Sequence, residues 1–387
     1  MLSIWQVCQK TSLDMKYAKL TLDAFLALLR AGLWEHGVQL SAFEPIDYDS
    51  LYNLADEQSV VGLIAAGLEH VEDVKVVKKD ALSFLKKVFG LEGRNASMNA
   101  FIERLVDKLR GEGIIAVLVK GQGIAQCYER PQWRSAGDVD LLLNKDNYEK
   151  AIATLAPITS HFGKEDKERL HYGLKIDSFD VELHGSLRSR MPQRVNAVID
   201  EVQDNTFRLK NMRIWRDRET DVFLPATDND IVFVFTHILQ HLFEGGIGLR
   251  QICDWCRFLW TYRGTLDLGL LGSRLKRMGL RTEWQVFACL AVNHLGMPIS
   301  SMPFYQDSMA NRRKARRLLR FILETGSFGH NRDSSYIHKK PYVARKLISL
   351  VQGTRDAFVR FYIFPLDSMC LYFKYLFNSM ATVMRGE

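Results

Sequence analysis

From Gly113 to Pro225 the apolar residues change their spacing, and that change narrows the possible folds more than any other feature of the chain. Before it, across residues 1 to about 110, apolar side chains recur at three- and four-residue steps over Leu20–Leu33, Tyr48–Leu68, Ala81–Phe89 and Phe101–Leu109. Such steps line one face of a helix, and Asp49 or Ser50 would cap the second of these. After Pro225 the helical spacing returns. Thr227 or Asp228 would cap a helix through Ile231–Phe243, followed by helices over Leu249–Tyr262, Glu283–Leu295 and Ala310–Glu324, with two or more segments after Tyr342. Between them, Ile114–Val119 and Val139–Leu143 are continuous apolar runs suited to buried strands. Leu170–Ile176 and Phe179–His184 read as strands around an Asp177-Ser178 turn, and Phe207–Leu209 with Arg213–Trp215 as a hairpin around Asn211. A helix over Tyr148–Leu155 would join two strands. The expectation is an α+β protein: a small mixed sheet core at residues 111–226, embedded between helical regions at 1–110 and 227–387.

The acidic residues of the core carry the chemistry. Asp138 and Asp140 are two apart on a predicted strand, so both carboxylates leave the same face. Held side by side they repel unless a cation lies between them, and hard oxygen ligands suit Mg²⁺ or Mn²⁺. Glu182 repeats the pattern: Phe179, Val181 and Leu183 share one face of their strand, and Asp180, Glu182 and His184 share the other. Two neighbouring strands of this kind would bring three carboxylates to the same metals, an arrangement that phosphoryl or nucleotidyl transfer requires. An Asp-x-Asp alone usually marks a surface strand or loop. Here it follows a strand, a Lys120-Gly121 turn and Arg134, and a second acidic strand lies about forty residues on.

These residues resemble a family. The Gly turn after a first strand, the hydrophobic-flanked Asp-x-Asp and the third hydrophobic-flanked acid are similar to the DNA polymerase β-type nucleotidyltransferase superfamily. More closely, the chain resembles the uncharacterised bacterial nucleotidyltransferases within it. The shared elements are Val119-Lys120-Gly121, Arg134, Asp138-Val-Asp-Leu-Leu142 and Glu182-Leu-His184, with further likeness at His237-Ile-Leu-Gln-His241, Gly248-Leu-Arg250 and Asp254-Trp255. The superfamily turn is usually Gly-Ser or Gly-Gly, whereas this one is Gly121-Gln122, and Asp138 follows Gly121 by 17 positions, a longer gap than usual.

The resemblance implies transfer of a nucleoside monophosphate from an NTP, with ATP expected, to an acceptor hydroxyl. Asp138 and Asp140 would hold the metals, and Glu182 would complete the metal used by the attacking hydroxyl. Gly121 and Gln122 would present backbone N–H groups to phosphate oxygens. Lys120 and Arg134 are candidate phosphate clamps; the plainer alternatives are a strand-end surface charge for Lys120, and an ion pair with Glu129 or Asp138 for Arg134. His184 would support Glu182. His237 and His241 share one helix face and would line the cleft under the base or acceptor; a zinc site there would need a third ligand, such as Asp254, and a plain core or interface role is the remaining alternative. Arg250 would pair with Asp254 at i, i+4.

Charge and cysteines set the partners. A net charge of +7 favours polyanionic ligands without choosing among them. The basic run Arg312, Arg313, Lys314, Arg316, Arg317, Arg320 has helical spacing and no interleaved aromatics, so it reads as a solvated helix face rather than a nucleic-acid surface. The acceptor is therefore expected to be a small molecule or a protein. Cys253 and Cys256 form a CxxC without a second pair and read as buried helix residues. Six scattered cysteines, and the lack of a secretory signal pattern or an apolar run long enough to span a bilayer, place the protein in the cytoplasm, away from membranes. Two other functions stay open at this point: a non-catalytic nucleotide-binding partner or antitoxin-like module, and a nucleotidyltransferase acting on nucleic acid through the 312–320 run.

Overall fold

The computed structural model describes residues 17–208, 212–326, 354–365 and 368. Among the described residues four helices precede the sheet: α1 (Lys19–Trp34), α2 (Tyr48–Glu57), α3 (Val61–Glu69) and α4 (Lys78–Gly111). The central part follows as β1 (Ala116–Val119), α5 (Gly121–Ala125), β2 (Val139–Leu143), α6 (Tyr148–Leu155), β3 (Thr159–Phe162), β4 (His171–Ile176), β5 (Phe179–His184), α7 (Gln193–Arg208), β6 (Met212–Trp215) and β7 (Val222–Pro225). Then come α8 (Thr227–Glu244), α9 (Leu249–Tyr262), α10 (Leu268–Met278), α11 (Arg281–Leu295) and α12 (Met309–Thr325). The seven strands form one mixed sheet in the order β3-β4-β5-β2-β1-β7-β6, so the α+β class is as expected. Strand β2 lies antiparallel to β1 and parallel to β5, near the middle of the sheet.

Alternation along the strands gives the sheet two unlike faces. Ala116, Leu118, Val139, Leu141, Val181 and Leu183 pack on the second half of α4 and on α6. Val117, Val119 and Leu142 join the larger core, which runs through α1–α3 and the helices after β7. Asp140 lies two residues from Leu142 and so shares this second face, opposite the side that rests on α4. Among the described residues no helix is long and apolar enough to cross a membrane.

Several expectations change in detail. Tyr48–Leu68 is two helices, because Ser59 takes a positive φ of 57° between them. The cap of α2 is Asp47, whose Oδ1 accepts from Ser50 N at 3.0 Å, and not Asp49 or Ser50. Helix α8 has Ala226 at its N-cap, with no side-chain cap from Thr227 or Asp228. The segments Ala81–Phe89 and Phe101–Leu109 are one 34-residue helix. Gly90, Gly93 and Asn95 break its apolar pattern, yet Asn95 faces inward and donates from Nδ2 to Gln132 O and Arg134 O at 2.6 and 2.9 Å. The expected Phe207–Leu209 hairpin is wrong. Phe207 ends α7, whose Val195, Val198, Ile199 and Val202 form a buried helical stripe, and β6 pairs instead with β7. Leu209 and Asn211, and most of the chain after Tyr342, lie outside the described residues.

The α1–α3 crossing depends on two glycines. A Cβ at Gly32 would lie 1.8 Å from Leu63 O, and one at Gly67 would lie 2.2 Å from Leu28 O. Both clashes are with backbone, so the helices would have to separate. Gly67→Ala should therefore destabilise the protein by about 1–3 kcal/mol, read as a lower midpoint in chemical denaturation. An unchanged midpoint would mean that the crossing is looser than described.

Candidate active site

The register of the sheet assembles the carboxylates. Strand β2 pairs with β5 so that Asp140 stands opposite Glu182, and β1 places Val119, next to Lys120, opposite Asp140. Asp138 precedes β2 by one residue. Oxygen atoms of Asp138, Asp140 and Glu182 all come within 4.8 Å of one another. The three residues predicted as metal-binding carboxylates are thus together, in a cleft of about 280 Å³ lined also by Lys120, Arg169, His171, His184, His237 and Arg250.

Lys120 sits where the chain leaves β1. Its backbone has φ 60° and ψ −148°, a region that side chains rarely adopt and that costs about 1–3 kcal/mol. The distortion aims its ammonium into the cleft, where Nζ lies 2.9 Å from Asp140 Oδ1 and 3.2 Å from His237 Nε2. It is therefore not a surface charge. Burial opposes its charge, but Asp140, Asp138 and Glu182 outweigh burial and raise its pKa. Gly121 follows with φ 45° and brings the turn against the Asp138 carbonyl, which a Cβ would meet at 3.5 Å. Gln122 is buried, and its Nε2 donates to Asn99 Oδ1 at 2.8 Å and Asn95 Oδ1 at 3.1 Å. Its side chain thus ties α5 to α4. This gives a structural reason for glutamine at this turn position.

The acids differ in environment. Asp140 is almost fully buried and takes bonds from Lys120 and, at 2.9 Å, from His184 Nε2. Asp138 opens at the mouth of the cleft. The negative charge of Asp140, followed by loss of hydration within the cleft, pushes its carboxyl up to about 6. Glu182 is partly buried, and the loss of hydration would raise its pKa, yet hydrogen bonds from His171 and His184 hold the carboxyl well below the usual range. The His171 bond measures 3.1 Å. Three oxygen donors this close, with one resisting ionisation for want of positive charge, fit a hard divalent cation.

His237 and His241 occupy one face of α8, as expected. Their Nε2 atoms are 2.9 Å apart, so one ring donates while the other accepts. His237 also faces the Lys120 ammonium, so its Nε2 is the acceptor. Burial and then the Lys120 charge lower both pKa values, that of His241 to about 4, and the pair is neutral near pH 7. A zinc site using Asp254 does not form, because Asp254 accepts from Tyr128 and Arg134.

Arg134 departs from its expected partners. Its guanidinium binds Asp254 through two bonds, Nε to Oδ1 at 2.7 Å and a terminal nitrogen to Oδ2 at 2.8 Å. Glu129 is paired with Arg257 at 3.0 Å. The expected Arg250–Asp254 pair is therefore replaced by Arg134–Asp254. Arg250 donates to Ser135 O at 2.9 Å, and its buried Nε has no hydrogen-bond partner among the described residues. Burial and the neighbouring charge of Arg134 lower its pKa.

His171, Arg169 and Arg188 also line the cleft, beyond the residues expected from the sequence. For His171 the signal was present: a two-residue turn at Asp177-Ser178 fixes Ile176 opposite Phe179, and counting back puts His171 opposite His184. The basic run lies on α12, with Arg312, Arg313, Arg316 and Arg317 exposed, and none of its residues lines the cleft. Cys253 and Cys256 are buried free thiols, and desolvation pushes both pKa values up. They are helix residues in α9, as the plainer interpretation held.

A search of curated proteins found no match. A family model does match: it covers residues 44–296, from just before α2 to the end of α11, and includes every carboxylate described above. The chain accordingly belongs to the family of uncharacterised nucleotidyltransferases, and is a transferase enzyme by that membership.

Proposed function

We propose that this enzyme moves a nucleoside monophosphate from an NTP, with ATP as the expected donor, to an acceptor hydroxyl on a small molecule or a protein, at a DNA polymerase β-type site. The observation that carries the reading is the convergence of Asp138, Asp140 and Glu182 beside the Lys120 turn. In the reaction the acceptor oxygen bonds to the α-phosphorus, the bond from that phosphorus to the bridging oxygen breaks, and pyrophosphate leaves. The hydroxyl proton passes to Glu182 or to water. Asp138 and Asp140 would hold Mg²⁺ or Mn²⁺, with Glu182 completing the set. Bound there, such ions neutralise triphosphate charge and acidify the attacking hydroxyl.

The chain's own residues do the rest. Lys120 neutralises Asp140 before nucleotide arrives and can turn to a phosphate oxygen once a metal takes over that carboxylate. Gly121 and Gln122 offer backbone N–H groups from the first turn of α5. Arg250, which lines the cleft and whose Nε has no partner among the described residues, would take the phosphate-binding role expected of Arg134, and Arg134 would position the Ser135–Gly137 strap through Asp254. Buried free thiols at Cys127, Cys253, Cys256 and Cys289 suit a reducing cytoplasm. Incubation of pure protein with Mg²⁺ and each α-labelled NTP, with and without cell extract, tests the reading. Label transferred to an acceptor supports it; NTPs left intact in every mixture count against it.

The basic face of α12 is expected to play no part. Neutralising Arg312, Arg313, Arg316 and Arg317 together should change transfer less than about twofold, and nucleic acid should dissociate at physiological salt as counterion release weakens. Tight, salt-resistant binding in an anisotropy titration, lost in the four-site variant, would make nucleic acid the acceptor.

A further inference from the structure

Beside the three carboxylates lies a second set of metal-competent atoms, on the side of the sheet cleft nearer β4. His171 Nε2 is 3.1 Å from Glu182 Oε2, His184 Nε2 is 3.5 Å from the same oxygen, and His184 Nε2 is 2.9 Å from Asp140 Oδ1. The two imidazoles are tilted toward each other, with ring centroids 4.9 Å apart. The ligand atoms of His171, Glu182 and His184 all come within 4.8 Å of one another.

These spacings are informative. Zinc–nitrogen and zinc–oxygen bonds are about 2.0–2.2 Å, so neighbouring ligand atoms around one ion sit about 3.0–3.5 Å apart. The separations of both histidine nitrogens from Glu182 Oε2 lie in that range. Without the ion the same atoms are joined by hydrogen bonds, His171 Nε2 to Glu182 Oε2 and His184 Nε2 to Asp140 Oδ1, and metal binding would displace both protons. The pleat explains how the set arises. His171 and His184 are register partners across β4 and β5, and Glu182 is two residues from His184 on the same face.

We propose that His171, Glu182 and His184 form a binding site for a first-row transition cation of the zinc type, next to the nucleotide metals. Two imidazoles and one carboxylate favour such an ion over Mg²⁺, which prefers oxygen and retained water. His171 and Glu182 are each about one-third exposed, 34% for both side chains, so the ion has an entry path and keeps open positions on its solvent side. His184 is nearly buried, and ligating the ion through Nε2 would give up the bond which that atom makes to Asp140 Oδ1. The proposal rests on the reading above only in sharing Glu182 with it.

The test is metal retention by chelator-stripped protein, reloaded with Zn²⁺, dialysed and measured by plasma mass spectrometry. Wild type and Asp138→Asn should each keep about one zinc per chain. His171→Gln retains a donor to Glu182 but loses the imidazole, and should bind zinc at least tenfold more weakly while its circular dichroism stays unchanged. Reloading wild type with Co²⁺ supplies a readout that depends on no variant: a visible d–d band shifted by nitrogen ligation relative to aqueous Co²⁺. Zinc kept by His171→Gln but lost from Asp138→Asn would assign the ion to the carboxylate site and overturn the proposal. So would a wild type that keeps no zinc, or that shows only the aqueous Co²⁺ spectrum. Loss of NTP turnover alone bears on the nucleotidyl-transfer reading and leaves this result standing.

Discussion

Asp138→Asn should lower nucleotidyl transfer about a thousandfold and, in the same protein, raise the stability of the metal-free form. The first effect follows from replacing one of three anionic carboxylate ligands by a neutral amide, which binds a divalent cation far more weakly. The second follows from electrostatics. Asp138 has its carboxyl pushed up to about 6 by Asp140 and by burial, so its ionised form is disfavoured in the folded state relative to the unfolded chain. The sign runs accordingly: wild type loses stability as pH rises from about 4 to 6 and carries the full cost above 6. Asparagine removes that cost. At pH 7 the gain should be about 1 kcal/mol, because the group opens to solvent and is screened, and it should fade as pH falls through 6 toward 4. Thermal unfolding of both proteins in chelator at pH 4.5 and pH 7.5 checks it. A variant that is less stable than wild type at pH 7.5 would mean that Asp138 makes a stabilising contact instead.

Arg134→Met and Arg250→Met should fail in opposite ways. Arg134 is buried in a two-bond pair with Asp254, so its loss leaves that carboxylate against Tyr128 without its counter-charge. Breaking such a pair costs about 3–5 kcal/mol, and the denaturation midpoint should fall sharply. Among the described residues Arg250 has no carboxylate partner and an unsatisfied Nε, so Arg250→Met should leave stability nearly unchanged. Its effect should appear in nucleotide binding. Loss of a charge-assisted bond worth about 1.5–3 kcal/mol raises the NTP KM about ten- to a hundredfold. If Arg134→Met instead spares stability and raises KM, the sequence expectation of a clamp at Arg134 is restored.

The contrast between these two arginines shows where sequence stops being legible. The carboxylates could be read because a two-residue period on a strand fixes which side chains share a face; that Glu182 would stand beside Asp138 and Asp140 needed the family resemblance as well, and the pairing of β2 with β5 supplies it. His237 and His241 were legible for the matching reason on a helix. Arg134 and Arg250 were not: each has a carboxylate within reach in sequence, and Asp254 is claimed by the residue 120 positions away rather than by the one four positions away. Such choices are settled by tertiary packing. Helix α4 was split in the sequence reading because its inward Asn95 and Asn99 serve the site instead of the apolar core, and α7 was missed because its stripe lies among charged residues. Gln122 looked like a departure at the phosphate turn until its side chain was found bonded to those same asparagines.

The central claim is that Asp138, Asp140 and Glu182 together hold the divalent cations that serve a bound nucleotide. The most direct test is electron paramagnetic resonance of Mn²⁺ titrated into chelator-stripped wild type and Asp138→Asn with a non-hydrolysable ATP analogue, at pH 7.5. Wild type should sequester Mn²⁺ from solution only when the analogue is present at near-stoichiometric levels, and Asp138→Asn should leave it free. Equal sequestration by the two proteins, or none by wild type, would contradict the account.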